Sequence, residues 1–92
     1  MEDWQDPIAN VEQERPALVI MDVRLGVHDG IDLLRQLRAH PHAGVAGTPV
    51  LMVSAQDMSA LCRAAGASGF VEKPFDTRAL CRTIQEIMEV SL

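Results

Sequence analysis

Three side chains with complementary chemistry each come directly after a short, mostly apolar segment of this sequence. They are Asp22, Ser54 and Lys73. A carboxylate, a hydroxyl and an ammonium group together suit the transfer of a phosphoryl group to a carboxylate: Asp22 can attack phosphorus, while Ser54 and Lys73 can donate to the phosphoryl oxygens. We treat these three residues as the candidate site, on the condition that the fold brings them together.

The apolar segments that precede the three residues are predicted β-strands. They cover residues 17–21, 49–53 and 69–72, and the first two are rich in Val, Leu and Ile. Their hydrophobicity is continuous rather than alternating, which is typical of strands buried on both faces in a parallel sheet. The carboxyl ends of parallel strands meet at one edge of the sheet, so this arrangement predicts that the candidate site gathers there.

Helical periodicity alternates with these strands. Four helices are predicted: from Pro7 through Glu14, from a cap at Asp29 to about His40, from Asp57 to Ala65, and from Asp76 or Thr77 onward. Gly66 follows the third helix as its C-terminal cap. The last helix carries an apolar stripe of Leu80, Cys81, Ile84, Ile87 and Met88. The alternation predicts an α/β fold, a doubly wound parallel sheet sandwich with about three strands and four helices. We expect residues 1–92 to form a single domain.

Charge and composition narrow the range of partners. Eight Lys and Arg residues against thirteen Asp and Glu residues give a formal net charge of −5. This balance disfavours nucleic acid and an anionic membrane surface as partners. No apolar run approaches the ~20 residues that cross a bilayer, and the amino terminus lacks the pattern of a secretion signal. We therefore expect a cytoplasmic protein in which Cys62 and Cys81 are reduced and partly buried.

A family resemblance appears once these segments are read together. The segment VIMDVRLGVHDG at residues 19–30 resembles the phosphoacceptor strand and loop of the receiver domains of bacterial two-component response regulators. PVLMVSA at 49–55, AGA at 65–67 and GFVEKPF at 69–75 are similar to the family's remaining landmarks, in the same order. The resemblance implies a flavodoxin-like fold and a phosphorelay signal-transduction module, not an enzyme, whose partner is a histidine kinase or phosphotransfer protein.

The resemblance also implies roles for individual residues. Asp22 would be the phosphoacceptor, Ser54 the hydroxyl that follows the phosphoryl group, and Lys73 the lysine that binds it. Phe70 would be a rotamer switch that turns inward when Ser54 moves and alters the face formed by the last two helices and the last strand; a plain core aromatic is the alternative. A Mg²⁺ ion would be bound by the Asp22 carboxylate and the backbone carbonyl of Arg24.

The sequence departs from the family pattern at its amino end. The family begins with an apolar strand ending in two adjacent acidic residues, then a helix and a second strand, before the helix that residues 8–15 resemble. Too few residues precede that helix here, so we expect this first strand, the acidic pair and the first helix to be missing. Glu2, Asp3 and Asp6 do not follow an apolar strand. The expectation is that Mg²⁺ binding is weak or absent, which favours a degenerate receiver that cannot be phosphorylated alone over an active switch.

The missing strand has a structural consequence as well. In the family it lies beside the strand that ends at Asp22, so its absence would expose an apolar edge, and exposed edges pair with other chains. We expect a homodimer or larger assembly in which a second copy covers this edge and the face of Leu80, Ile84 and Ile87.

Two alternatives of other classes remain open at this point. A fragment of a haloacid-dehalogenase-like phosphatase would also place an aspartate nucleophile, a Ser or Thr and a Lys on parallel strand ends. That family has a second Asp two residues after the nucleophile, where this sequence has Arg24. An oligomerisation or interaction domain without phosphochemistry is the other alternative, and it predicts that Asp22→Asn leaves partner binding unchanged.

Overall fold

The computed structural model describes residues 7–25 and 28–91. The helices of this part are α1 (Pro7–Glu14), α2 (Gly30–Arg38), α3 (Ala43–Ala46), α4 (Ser59–Ala65) and α5 (Thr77–Ser91). The strands are β1 (Val19–Asp22), β2 (Arg24–Leu25), β3 (His28–Asp29), β4 (Val50–Ser54) and β5 (Gly69–Glu72). The predicted alternation of helices and strands is confirmed.

A parallel three-stranded sheet forms the centre of the fold, in the order β1-β4-β5. The middle strand, β4, is buried along its whole length because strands flank it on both sides and helices cover both faces. The register pairs Asp22 with Val53 and Ser54 with Glu72, so the carboxyl ends of all three strands lie at the same edge. The predicted parallel α/β arrangement is therefore confirmed.

Two short elements were not predicted from the sequence. Helix α3 lies in a segment that the sequence indicates only as a turn, and the side chain of His42 caps it by accepting a hydrogen bond from the Gly44 N–H at 3.1 Å. Strands β2 and β3 form a two-residue antiparallel hairpin, Arg24 opposite Asp29, between β1 and α2. Both elements are too short for apolar periodicity to reveal them.

The predicted helix boundaries are largely confirmed by their caps. The Asp29 carboxylate accepts from the Ile31 N–H at 2.9 Å, and the Asp76 carboxylate accepts from the Ala79 N–H at 2.7 Å. Helix α4 begins at Ser59 rather than at Asp57, whose carboxylate accepts from both the backbone N–H and the hydroxyl of Ser59. These bonds form a turn ahead of the helix instead of its first turn.

One face of the sheet, which we call the covered face, packs against α1, α2 and α4. Met21, Val50 and Met52 point to this face and join Leu34 and Leu37 of α2 in the larger apolar core. Leu34, Leu37, Val50 and Met52 are fully buried. Close packing of several helices on this side supplies most of the buried apolar surface of the domain.

The opposite face, which we call the open face, packs, within the residues that the structure describes, against α5 alone. Its core consists of Leu51, Val53, Val71 and Ile87, with Leu18, Leu80 and Ile84 partly buried at its border. Leu80, Ile84 and Ile87 contact the protein's own sheet, and Leu80 and Ile84 stay partly exposed, so coverage of this face by a second copy remains a prediction. The side chain of Ile20 is 51% exposed.

The structure tests two further predictions, the burial of the two cysteines and the lack of a membrane-spanning helix. Both thiols are free, with Cys62 buried and Cys81 exposed. The predicted partial burial of Cys81 is wrong because it flanks the stripe of α5 that meets the sheet. No helix in residues 7–25 and 28–91 is long and apolar enough to span a membrane.

Candidate functional site

Hydrogen bonds continue beyond the ends of the strands and join the three predicted site segments. The Val23 N–H donates to the Val53 carbonyl at 2.9 Å, and the Lys73 N–H donates to the Ser54 carbonyl at 2.7 Å. The fold therefore brings Asp22, Ser54 and Lys73 to one edge of the sheet, as their positions after parallel strands predict.

Asp22 and Lys73 form an ion pair at this edge. The Lys73 ammonium group donates to Oδ2 of Asp22, and the Arg24 N–H donates to Oδ1 at 2.9 Å. The hydrogen bond from Lys73, followed by the one from Arg24, lowers the pKa of Asp22 below its ordinary value of 3.8. The two side chains are 28% and 42% exposed, so the ionised carboxylate can be reached from solvent.

Ser54 is buried at the end of the central strand. Its hydroxyl oxygen accepts a hydrogen bond from the Gln56 N–H at 3.1 Å. This bond uses a lone pair of Oγ, so the hydroxyl hydrogen can be donated to a phosphoryl oxygen. The same bond anchors the loop that leads from β4 towards α4.

Gly30 is a site residue that the sequence reasoning missed. Its N–H donates to the Val23 carbonyl at 2.7 Å. A Cβ at this position would lie 2.2 Å from the Asp22 carbonyl oxygen, which no side chain can occupy without moving that backbone. Gly30 thus allows α2 to begin directly against the segment that carries Asp22. The Asp-Gly pair that precedes an apolar helical run is the sequence signal that could have pointed to it.

Phe70 lies on β5, which is separated by the central strand β4 from β1, the strand that carries Asp22. Its partly buried ring packs against the core of the covered face. It also lines a cavity of about 400 Å³ between β5, α4 and α5, together with Arg63, Ser68, Gly69, Thr83, Glu86 and Ile87. The ring therefore has packed core on one side and open space on the other, which fits either the switch or the core-aromatic interpretation.

The metal ligands that the resemblance implies are sparse in this fold. Among residues 7–25 and 28–91, no group of three or more His, Cys, Asp or Glu side chains could hold a metal ion. Both carboxylate oxygens of Asp22 already accept hydrogen bonds. Glu2, Asp3 and Asp6 lie outside the described residues. Mg²⁺ takes about six oxygen ligands in near-octahedral geometry, and the described residues do not fit such a site.

The sequence comparisons agree with the geometry. Residues 1–85 match the family model of the response regulator receiver domain, and the chain belongs to that family. It is 34% identical over 90 residues to the response regulator protein GraR of Staphylococcus saprophyticus, covering 95% of this chain and 38% of that protein. It is 30% identical to the alkaline phosphatase synthesis transcriptional regulatory protein PhoP of Bacillus subtilis, covering 97% of this chain and 37% of that protein. The chain therefore spans less than two fifths of the length of these relatives.

Solved structures show the same fold. A putative response regulator from Chloroflexus aurantiacus superimposes with a TM-score of 0.82 at 27% identity, covering 92% of this chain and 70% of that one. The chemotaxis response regulator CheY4 of Vibrio cholerae gives a TM-score of 0.78 at 26% identity, covering 95% of this chain and 73% of that one. These findings support phosphorelay signalling and a flavodoxin-like receiver fold, and they do not favour the phosphatase or the interaction-domain alternative.

Proposed function

We propose that Asp22 is the phosphoacceptor of this receiver domain and that a histidine kinase or phosphotransfer protein supplies the phosphoryl group. The observation that carries the proposal is the solvent-accessible ion pair of Asp22 and Lys73 at the carboxyl edge of the parallel sheet. An ionised carboxylate is the nucleophilic form, and Asp22 is ionised at neutral pH because its pKa lies below the ordinary value of 3.8. The domain then acts as a signalling module rather than as an enzyme.

In the proposed reaction a carboxylate oxygen of Asp22 attacks the phosphorus of a phosphohistidine. The new O–P bond forms as the N–P bond breaks, and the electron pair of that bond returns to the imidazole nitrogen. The Lys73 ammonium group, already hydrogen-bonded to Asp22, stabilises charge on the phosphoryl oxygens, and the Ser54 hydroxyl donates to one of them. The product is an acyl phosphate on Asp22.

The readout of this reaction is proposed to pass through Phe70. Donation by Ser54 to the phosphoryl group would move the start of the loop that its hydroxyl now anchors. The Phe70 ring borders both the core and the cavity between β5, α4 and α5, so it has space to turn as that loop moves. The surface of α4, β5 and α5 would then differ between the two states and bind a downstream partner differently.

We further propose that Mg²⁺ binds weakly and that isolated Asp22 is phosphorylated slowly, as in a degenerate receiver. The ligands available among the described residues are the Asp22 carboxylate and the Arg24 carbonyl, and no acidic cluster accompanies them there. Fewer carboxylates mean less attraction for a divalent ion and less neutralisation of the incoming phosphoryl oxygens. The cytoplasm is the proposed location, since the free thiols Cys62 and Cys81 suit a reducing compartment.

Intact mass spectrometry with acetyl phosphate, with and without Mg²⁺, tests this proposal. The wild-type protein should gain about 80 Da, one phosphoryl group, slowly and with little dependence on Mg²⁺. Asp22→Asn should show no gain, and Asp32→Asn, which changes an exposed carboxylate on α2, should behave like wild type. A gain that persists in Asp22→Asn would place the phosphoryl group elsewhere. Absence of any gain in folded wild type would favour an interaction domain without phosphochemistry.

The proposed assembly is a homo-oligomer in which a second copy covers the outer edge of β1. Within the described residues this edge has no strand partner, and Ile20 beside it is 51% exposed. Unpaired backbone groups next to an apolar side chain favour pairing with another chain. Size-exclusion chromatography with light scattering should show a dimer or larger species, and a stable, well-dispersed monomer would contradict this proposal.

A further inference from the structure

Three helices end close to a single guanidinium group. This group lies near the edge at which the strands of the sheet begin, whereas Asp22 lies at the edge at which they end. Helix α2 ends at Arg38 itself, α3 ends at Ala46, and α4 is followed by Gly66. Nε of Arg38 donates to the Gly66 carbonyl at 2.9 Å, and Nη1 donates to the carbonyls of Ala46 at 2.8 Å and Thr48 at 2.7 Å. One side chain therefore joins the end of α2 to α3, to the start of β4 and to the end of α4.

The environment of Arg38 makes this junction specific for arginine. The side chain is partly buried, and burial lowers its pKa. All three of its hydrogen bonds go to backbone carbonyls, two of them at helix C-termini, where the helix dipole is negative. A planar fork of N–H groups can reach acceptors in several directions at once, whereas the ammonium group of a lysine acts as a single point charge.

The C-terminal end of α4 is fixed by several bonds besides the one from Arg38. The Gly66 N–H donates to the Arg63 carbonyl and the Ala67 N–H donates to the Cys62 carbonyl, both at 3.0 Å. Gly66 has a positive φ of 108° and no side chain, which leaves room for Arg38: a Cβ there would lie 2.9 Å from Cγ of Arg38. This end of the helix is closed and packed.

The N-terminal end of α4 is held by neighbouring residues: the Asp57 carboxylate accepts from the N–H and the hydroxyl of Ser59, and Met58 packs against the core of the covered face. Met58 occupies the N-cap position and makes no side-chain hydrogen bond to the helix. This end follows the loop from Ser54, whereas the fixed end leads through residues 66–68 into β5 and Phe70. The two ends of α4 therefore differ in attachment: a hydrogen bond from the remote Arg38 side chain holds the C-terminal end, whereas the side-chain hydrogen bonds at the N-terminal end, which is connected to the candidate site, come from neighbouring residues.

We propose that Arg38 is a positioning residue that makes the C-terminal end of α4 a pivot. A change at Ser54 then displaces the N-terminal end of α4 while the end next to Gly66 keeps its place against α2 and α3. The inference rests on the proposed function for its signalling consequence, because it takes Ser54 to respond to phosphorylation of Asp22. The attachment itself is a property of the protein without phosphoryl donor.

Amide hydrogen exchange measured by NMR tests the pivot in the protein without phosphodonor. In Arg38→Met the amides of Gly66 and Ala67 should exchange at least about tenfold faster than in wild type, while those of Leu51 to Val53 in β4 keep their rates. Arg35→Met, at an exposed position of the same helix, is the matched control and should leave both groups unchanged. Equal acceleration in β4 and at Gly66 would show general loss of stability, and no acceleration would show no attachment; either result overturns the proposal.

Arg38→Lys provides a second variant, which keeps the positive charge but not the fork. It should accelerate exchange at Gly66 and Ala67 as Arg38→Met does, and wild-type rates in Arg38→Lys would contradict the three-way bonding.

With acetyl phosphate, chemical-shift changes in wild type should concentrate in residues 55–61, and in Arg38→Met they should extend to residues 65–67. If Asp22 is not phosphorylated, no shifts occur in either protein, which contradicts the proposed function, while the exchange rates still decide whether Arg38 fixes the C-terminal end of α4.

Discussion

The covered face and the open face of the same sheet differ in what packs on them. On β1, Met21 points to the covered face and is 4% exposed, while its neighbour Ile20 points to the open face and is 51% exposed. Both are large apolar side chains on one strand, and among the described residues they differ in the helices that pack on each face: α1, α2 and α4 on one side, α5 on the other. Apolar composition predicts that a strand is buried, but the number of helices on each face decides which of its side chains are.

This difference reaches the candidate site. Ile20 and Asp22 lie two residues apart on β1, which is one of the two edge strands of the described sheet. The exposed isoleucine and the sparse ligand set around the carboxylate both belong to this strand. Among the described residues, β1 therefore combines an uncovered apolar side chain with a carboxylate that has few neighbouring metal ligands. The central strand β4, which has a strand on each side, is fully buried.

The largest expected effect is on the covered face. Leu34 is fully buried against the core of that face. Leu34→Ala should lower the free energy of unfolding by about 3–5 kcal/mol because the closely packed helices cannot collapse into the cavity. Urea denaturation measures this change, with Leu61→Ala, at an exposed position on α4, as the control that should stay within about 0.5 kcal/mol of wild type. A loss below about 1 kcal/mol for Leu34→Ala would contradict a rigid covered face.

A matched substitution on the open face should cost less. Ile87 is 5% exposed, and its truncation to alanine removes the same number of carbon atoms as Leu34→Ala. We expect a loss of about 2 kcal/mol, at the lower end of the usual range, because α5 can shift towards the sheet without opposing helices. The same urea titration applies. A cost equal to or above that of Leu34→Ala would remove the distinction between the two faces.

The ion pair of Asp22 and Lys73 should make a smaller, pH-dependent contribution to the free energy of unfolding. Lys73 lowers the pKa of Asp22 in the folded protein. The ionised form is thus stabilised by folding, so this contribution is present above the ordinary pKa of 3.8 and is lost as the pH falls through the folded value. For partly exposed groups it should be below about 1 kcal/mol.

Denaturation of wild type and Asp22→Asn tests this contribution of the ion pair. The free energy of unfolding of both proteins is measured from pH 7 down to the lowest pH at which they stay folded. The difference between the two proteins should shrink with acidification and with added salt. A difference that grows in acid would assign the stabilisation to the protonated carboxyl group, opposite to the direction expected here.

The smallest expected effect on stability is at Ile20. Because this side chain is half exposed, Ile20→Thr should change the free energy of unfolding by less than about 0.5 kcal/mol, while threonine keeps the β-branched shape that strands favour. The same substitution should shift the proposed oligomer towards monomer in light scattering. Val19→Thr, on the same strand but packed against the covered face, is the comparison that should destabilise the fold more. Unchanged assembly in Ile20→Thr would remove Ile20 from the interface.

Local signals in the sequence were sufficient for much of the fold. Apolar runs and helical spacing predict the three parallel strands and four of the helices, and Asp29, Asp76 and Gly66 mark helix ends through bonds to residues at most a few positions away. The gathering of Asp22, Ser54 and Lys73 follows from the same reasoning, because parallel strands separated by helices must all end at one edge.

Contacts between residues remote in the sequence decided the rest. The ion pair of Asp22 and Lys73 and the three carbonyl bonds of Arg38 depend on how the chain packs, and so does the space that requires Gly30. The exposure of Ile20 also depends on which helices cover the sheet. The sequence by itself therefore determined which elements form and which chemical groups end the strands, since these follow from neighbouring residues. Only the tertiary structure decided which groups touch and which remain open, since that requires the position of every other element.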